Sequence, residues 1–226
     1  MRDSRDEIRE GDTKLPVHGF VLAGGKSLRM GQDKALLPFC GRPMVEIAVE
    51  KLREFCVDVS IAGNREDLAG YAPVVRETWK SAGPAAGIEA GLAASRQEWA
   101  LFIPVDVPLV PAEMLRRWVQ RRLRSNPRLF GGAYLEANWV SQPTFCFLPR
   151  DSRMQLSSAL AGGERKLETI LQGIKPSGIG WIGPENAASY APAPPPTALQ
   201  MEFWFSNVNT PQELAEAEIW AQHRTA

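Results

Sequence analysis

Short apolar runs alternate along the chain with segments whose apolar positions recur every three to four residues. Residues 17–22 form a mostly apolar run that stops at Gly24 and Gly25, the pattern of a buried strand. Pro43 then suits the start of a helix, and Val45, Val49, Leu52 and Phe55 form a helical stripe through about residue 55. Residues 57–62 read as a second strand. Residues 84–95 read as a helix opened by Pro84. Residues 99–105 are a strongly apolar strand that ends at Asp106, and 111–124 a basic amphipathic helix. Strands over 129–135 and 143–148 and helices over 164–171 and 211–221 complete the pattern. The stretch 182–200, rich in Pro, Ala and Ser, reads as an irregular excursion before the apolar run 201–205.

Strand alternating with helix predicts an α/β protein with a mostly parallel sheet covered by helices on both faces. Such sheets bind ligands beyond the carboxyl ends of their strands. The first glycine loop and Asp106 both fall at such ends. Residues 1–14 carry nine charges and no apolar period, so they read as a mobile N-terminal tail. The remainder, 15–226, reads as a single domain.

Composition narrows the function. Apolar residues make up 44% and charged residues 23%, which is the globular range. The 26 Lys and Arg balance the 26 Asp and Glu, which argues against a protein that grips nucleic acid. Cys40, Cys56 and Cys146 lack metal-site spacing and read as reduced thiols. No apolar run approaches membrane-spanning length, and residues 1–14 are too charged for a signal peptide. A cytoplasmic protein with neither membrane nor nucleic-acid partners is expected. His18 and His223 read as surface residues.

The loop after the first strand carries the chemistry. Gly25-Lys26-Ser27 resembles the end of a Walker A loop, but the glycine required five positions earlier is Phe20. There is no G-x-G-x-x-G either. The small residues Ala23, Gly24 and Gly25 still let backbone N–H groups approach an anion, and Lys26, Arg29 and Lys34 supply cations for several phosphate oxygens. The competing reading is a solvated turn with scattered charges.

The stretch Leu22-Ala23-Gly24-Gly25-x-Ser27-x-Arg29-Met30-Gly31-x-Asp33-Lys34 resembles the signature of nucleotidyltransferases, and within them the molybdenum cofactor guanylyltransferase (MobA) family. Four further stretches are similar to that family in order: Ala62-Gly63-Asn64-Arg65, Gly83-Pro84-Ala85-Ala86-Gly87-Ile88, Pro104-Val105-Asp106-Val107-Pro108 and Asn207-Val208-Asn209-Thr210-Pro211. The resemblance implies a Rossmann-like three-layer sandwich of nucleotidyltransferase type. Its nucleotide-binding part would cover about 15–125 and its acceptor-binding part about 126–226. It implies transfer of GMP from GTP to the phosphate of molybdopterin with release of pyrophosphate and Mg²⁺ as cofactor. Proteins that deliver or receive the molybdenum cofactor would be partners. The alternatives are a related enzyme using CTP or another acceptor, and a non-catalytic nucleotide-binding module.

Carried over residue by residue, the resemblance implies catalytic roles for Arg29, Lys34 and Asp106, with Asp106 also the metal ligand. It implies nucleotide contacts from Leu22, Ala23, Gly24, Gly25, Lys34, Asn64, Glu77, Gly83, Gly87 and Asp106. Glu77 stands near where relatives carry an aspartate. Gln142, Arg165, Asn207 and Asn209 fall on the acceptor side. Some of this is also local structure: Thr210 and Glu213 form a capping box with Pro211 at the first helical position.

Overall fold

The structure, a computed structural model, describes residues 14–24, 33–125, 132–137, 140–174, 177–182 and 197–222. Residues 1–13 of the expected N-terminal tail, His223 and the loop residues Gly25, Lys26 and Arg29 lie outside the described residues. So does 183–196, most of the proline-rich stretch.

The strands are β1 (Leu15–Leu22), β2 (Pro38–Phe39), β3 (Arg42–Pro43), β4 (Cys56–Ala62), β5 (Val74–Val75), β6 (Trp99–Pro104), β7 (Gly132–Ala137), β8 (Val140–Pro149) and β9 (Ser177–Ile182). The helices are α1 (Met44–Phe55), α2 (Pro84–Ala94), α3 (Ala112–Arg124), α4 (Arg153–Ala161), α5 (Leu167–Gly173), α6 (Ala198–Trp204) and α7 (Pro211–Gln222). Seven strands form one sheet in the order β5-β4-β1-β6-β8-β7-β9, and β2 and β3 make a small separate hairpin. β1 runs parallel to β4 and β6, and β8 runs antiparallel to β6 and β7. β1 sits inside the sheet with helices over both faces, which is why it is nearly all buried.

The period-2 alternation of the central strands sorts the core into two layers. Val17 and Val21 of β1 and Trp99, Leu101 and Ile103 of β6 pack on one face. There they meet Val45, Val49 and Leu52 of α1, Leu115 and Trp118 of α3, and Met201 and Trp204 of α6. Phe20 and Leu22 of β1, with Ala100 and Phe102 of β6, point to the other face. Ile88 and Leu92 of α2, Leu156 and Leu160 of α4, and Ile170 and Leu171 of α5 cover them. The result is the three-layer α/β sandwich with a mostly parallel sheet.

Several elements differ from the sequence pattern. The helix expected from 164 starts at Leu167, because the Glu164 carboxylate takes the N–H groups of Arg165 (2.7 Å) and Lys166 (2.8 Å) and holds the chain in a turn first. The excursion expected over 182–200 begins after β9 and ends in α6. Thr197 and Gln200 form a capping box that starts this helix. His18 is not a surface residue. It is buried in β1, its ring stacks on Phe20 at 4.0 Å, and its Nε2 lies 3.0 Å from Ser60 Oγ. Its Nδ1 accepts the N–H of Arg96 at 3.4 Å, so Nε2 is the protonated nitrogen that donates to Ser60.

Candidate active site

The carboxyl ends of β1, β4 and β6 are laced together just where the chain leaves them. The N–H of Ala23 donates to Ala62 O (3.1 Å) and that of Val105 to Leu22 O (3.2 Å). Beyond this edge opens a cavity of about 520 Å³. Its lining includes Leu22, Ala23 and Gly24 after β1, Arg65 and Glu77 from the β4–β5 side, Asp106 after β6, and Asn207 and Asn209 from the C-terminal segment.

Lys34 and Asp106 meet in this cavity. Asp33 is the N-cap of a short 3-10 turn, Lys34–Leu36, and its Oδ1 accepts the N–H of Ala35 at 3.1 Å. That turn presents Lys34, whose Nζ lies 3.4 Å from Asp106 Oδ2 and also donates to Asn209 Oδ1. Both side chains of the ion pair are largely enclosed, Lys34 at 15% exposure and Asp106 at 22%. Asp106 is further tied down through its backbone: Val208 N–H donates to Asp106 O at 2.9 Å. Asn209 is fixed by the capping box of α7. The Glu213 carboxylate accepts the N–H of Asn209 (2.6 Å) and of Thr210 (2.9 Å), and Thr210 Oγ1 accepts the N–H of Glu213 (3.2 Å). The helix start thus positions one cavity residue, Asn209.

Glu77 occupies the β5 side. A Cβ on Gly24 would lie 2.8 Å from Glu77 Oε1, and one on Gly87 would lie 3.2 Å from the same oxygen. The two glycines leave the room in which the carboxylate sits, and its partial burial raises its pKa above the ordinary carboxylate value. Gly83 holds φ +58 at the entry to α2, a backbone conformation that favours glycine.

The residues singled out in the sequence separate into two groups. Leu22, Ala23, Gly24, Lys34, Glu77, Gly83, Asp106, Asn207 and Asn209 come together around the cavity. Gly87 stands behind it, against Glu77 and Leu22. Asn64 is exposed beside it, and its Oδ1 accepts the backbone N–H of Glu77 at 3.2 Å. Gln142 pairs opposite Leu135 in the sheet, away from the lining. Arg165 is also away from it, its Nη1 donating to the carbonyls of Leu160 (2.9 Å) and Glu164 (2.7 Å).

Among the polar lining residues, sequence reasoning gave no role to Asp33, Arg65, Ser81 and Thr144. Asp33 and Arg65 lie inside the family-like motifs, with no role assigned to either. Thr144 reads as an ordinary strand former. The available signal was Pro143, which cannot donate to the ladder. Between the pairs Tyr134–Cys146 and Leu135–Gln142 the register slips, leaving residues 143–145 of β8 as a bulge.

Among the described residues no cluster of three or more His, Cys, Asp or Glu could hold a metal. The Asp106 carboxylate nevertheless fits a Mg²⁺ whose other ligands would be substrate phosphates and water. No helix among the described residues is long and apolar enough to cross a membrane.

Comparison with known proteins shows the family and the fold. The family model described as MobA-like NTP transferase domain matches residues 19–176. A molybdenum cofactor guanylyltransferase of Yersinia pestis (strain Pestoides F) is 29% identical over 213 residues, covering 92% of this chain and 96% of the relative. The crystal structure of molybdopterin-guanine dinucleotide biosynthesis protein A from Archaeoglobus fulgidus superimposes with a TM-score of 0.71 at 21% identity, covering 91% of this chain and 99% of that one. The 2-C-methyl-D-erythritol 4-phosphate cytidylyltransferase of Thermus thermophilus shares the fold at a TM-score of 0.59 and 16% identity, over 90% of this chain and 98% of its own. The family match spans residues 19–176 of the 226, so the chain belongs to the MobA-like NTP transferase family and is a nucleotidyltransferase.

Proposed function

We propose that this enzyme transfers GMP from GTP to the terminal phosphate of molybdopterin, with Mg²⁺ held by Asp106. The observation that carries this reading is the convergence of Lys34, Asp106 and Asn209 at one end of a cavity whose other wall holds the Glu77 carboxylate.

The base assignment follows from hydrogen-bond chemistry. Guanine presents N1–H and the N2 amino group side by side as donors, and one carboxylate accepts both. Cytosine and adenine offer no such pair of adjacent donors. Glu77, half-buried with its carboxylate against Gly24 and Gly87, suits that edge. Asn64 then acts through Glu77, by holding its backbone.

The sheet order sets the path of the reaction. Glu77 follows β5, Lys34 and Asp106 stand by the β1–β6 pair, and Thr144 lies on β8 beyond β6. A nucleotide with its base at Glu77 puts its α-phosphate at Lys34 and Asp106. The acceptor then arrives from the side of Thr144, Asn207 and Asn209. The acceptor phosphate oxygen attacks the α-phosphorus, a new P–O bond forms, and the bond to the β-phosphate oxygen breaks as pyrophosphate leaves in line. The attacking phosphate is already an anion at neutral pH, so no general base is needed. Lys34 counters the charge that grows on the transferring group, in a site enclosed enough to make that contact strong. Mg²⁺, when bound, neutralises and polarises phosphoryl oxygens. The resemblance gives Arg29, which lies outside the described residues, the task of countering charge on the leaving pyrophosphate. Gln142 and Arg165 are left to outer contacts with the acceptor, and Arg165 would first release the two carbonyls it holds.

Binding of the four nucleoside triphosphates in the presence of Mg²⁺ tests this reading. GTP is expected to bind at least about tenfold more tightly than CTP or ATP, which is about 1.4 kcal/mol. Equal affinity for GTP and CTP would sink the guanine assignment.

A further inference from the structure

We propose that Arg65 is a positioning residue for the transfer reaction: by gripping Asp33 it fixes the turn that presents Lys34 to Asp106. This rests on the reading of Lys34 as the residue that meets the transferring phosphate.

Arg65 follows β4 and is 2% exposed, which is rare for an arginine and requires that its charge be matched. Two carboxylates match it. Nη1 donates to Asp33 Oδ1 at 3.0 Å, and Nη2 donates to Asp33 Oδ2. On the other edge, Nε donates to Asp67 Oδ1 at 2.9 Å and Nη2 to Asp67 Oδ2 at 2.7 Å. Asp67 sits two residues along the same segment and is 47% exposed. It balances the charge locally but reaches only Nε and Nη2, leaving Nη1 to Asp33. Asp33 lies 32 positions away, so the pair with Asp33 is the one that joins two parts of the site.

What Asp33 does next gives the pair its consequence. The same Oδ1 that receives Nη1 also accepts the N–H of Ala35 and so starts the turn Lys34–Leu36. A planar two-bond fork resists rotation of the carboxylate far more than a single bond does. The orientation of the Asp33 carboxylate, and with it the direction in which Lys34 leaves the backbone, is set by Arg65. The exit of the turn is anchored too, since Met44 N–H donates to Leu37 O at 3.1 Å. Lys34 is long and flexible, and an unanchored lysine would spread its charge over the cavity instead of holding it against Asp106.

Arg65 also lines the cavity, which raises the alternative that it touches phosphate itself. Both edges of its guanidinium are occupied by carboxylates. One cation with two carboxylates is also a net negative cluster, the wrong sign for a triphosphate. The role is therefore exerted through Lys34.

The test is a double-mutant cycle on GMP transfer, measured as pyrophosphate release from GTP and Mg²⁺ with molybdopterin as acceptor. The variants are Lys34→Ala, Arg65→Met, Asp33→Asn and each of the last two combined with Lys34→Ala. Asp33→Asn keeps an oxygen for the Ala35 N–H and leaves Arg65 paired with Asp67, so it carries the test if Arg65→Met does not fold. Asp33→Asn and Arg65→Met are each expected to lower kcat by about tenfold or more, with a smaller change in KM for GTP. Neither is expected to slow the Lys34→Ala enzyme further. A merely structural residue would slow both backgrounds alike, and that result would overturn the inference. Wild-type kcat in Asp33→Asn, with Lys34→Ala slow, would overturn it as well while leaving the proposed function intact. Wild-type kcat in Lys34→Ala would remove the transfer reading of Lys34 and the inference with it.

Discussion

Lys34 Nζ lies 3.4 Å from Asp106 Oδ2, although the two residues are 72 positions apart in the chain. Without substrate the ammonium and the carboxylate neutralise each other. In the proposed reaction a bound nucleotide would part them, the ammonium meeting a phosphoryl oxygen and the carboxylate serving as the group that would hold Mg²⁺. Asp106→Asn is therefore expected to abolish transfer at low Mg²⁺ and to regain part of it at high Mg²⁺, because the amide keeps one oxygen ligand but loses the charge that holds a hard cation. Transfer rates across a Mg²⁺ titration check this, and an unchanged Mg²⁺ dependence would make Asp106 structural. Lys34→Ala is expected to slow transfer by about 10²–10³-fold, with a smaller loss of GTP affinity.

Glu77 gives a prediction about base choice. Glu77→Gln is expected to weaken GTP by about 1.5–3 kcal/mol, the scale of a hydrogen bond to a charged group, and to leave ATP nearly unchanged. The raised pKa of this carboxyl, caused by burial, adds a pH dependence. Binding uses the ionised form, so GTP affinity in the wild type should fall on acidification before an ordinary carboxylate would titrate. Affinities of wild type and Glu77→Gln from mildly acidic to neutral pH separate the two effects. A Glu77→Gln enzyme with full GTP selectivity would take the base contact away from Glu77.

Asn209 changes meaning between sequence and structure. By resemblance it belongs to the acceptor side, where its loss would spare GTP binding and weaken molybdopterin. Its Oδ1 accepts from Lys34 Nζ, so its loss reaches the chemistry too. Asn209→Ala is expected to slow single-turnover transfer by about tenfold or more at saturating substrates, as removal of a hydrogen bond to a charged donor implies. GTP affinity should change little. An Asn209→Ala enzyme with weaker molybdopterin binding and a normal single-turnover rate would return the residue to a purely acceptor role.

Burial lowers the pKa of His18, with Arg96 adding to the effect and Asp58 opposing it. The neutral ring is the form that Ser60 and the Arg96 N–H fit. A histidine whose folded pKa is depressed contributes stability that is present above its unfolded value, about 6.5, and lost as pH falls through the folded pKa. Melting temperature against pH should therefore drop more steeply below about pH 6.5 in the wild type than in His18→Asn. Parallel curves would mean that His18 does not titrate with unfolding.

Much of the fold was legible because its central elements carry strong periods. β1, β4 and β6 are short apolar strands, and α1 and α3 have clean stripes over Val45, Val49 and Leu52 and over Leu115, Trp118 and Val119. The capping box at Thr210 and Glu213 could be read from residue types alone, and both of its hydrogen bonds form. α4 escaped because it buries only Leu156 and Leu160, too few positions to show a period. β5 is two residues long, and α6 hid behind the proline-rich stretch. His18 misled because a polar residue in a strand reads as exposed, yet a strand covered on both faces buries whatever it carries.

The candidate cavity was legible at Ala23 and Gly24 and at Asp106, where the chain leaves a strand. It was not legible where a side chain acts through another. Nothing local in Asn64 says that it holds Glu77, and nothing in Arg65 says that it reaches Asp33. Those pairings exist only once the β4 edge and the turn at Lys34 are brought together by the sheet.

The proposed guanylyl transfer to molybdopterin in the cavity of Lys34, Asp106 and Glu77 can be followed by its label. Purified enzyme is supplied with molybdopterin, Mg²⁺ and a nucleoside triphosphate labelled at the α-phosphate. GTP should pass its α-label into a molybdopterin dinucleotide with one pyrophosphate released per transfer, and CTP should pass essentially none. Label transfer from CTP in preference to GTP, or none to molybdopterin from either, would refute guanylyl transfer as the function of this site.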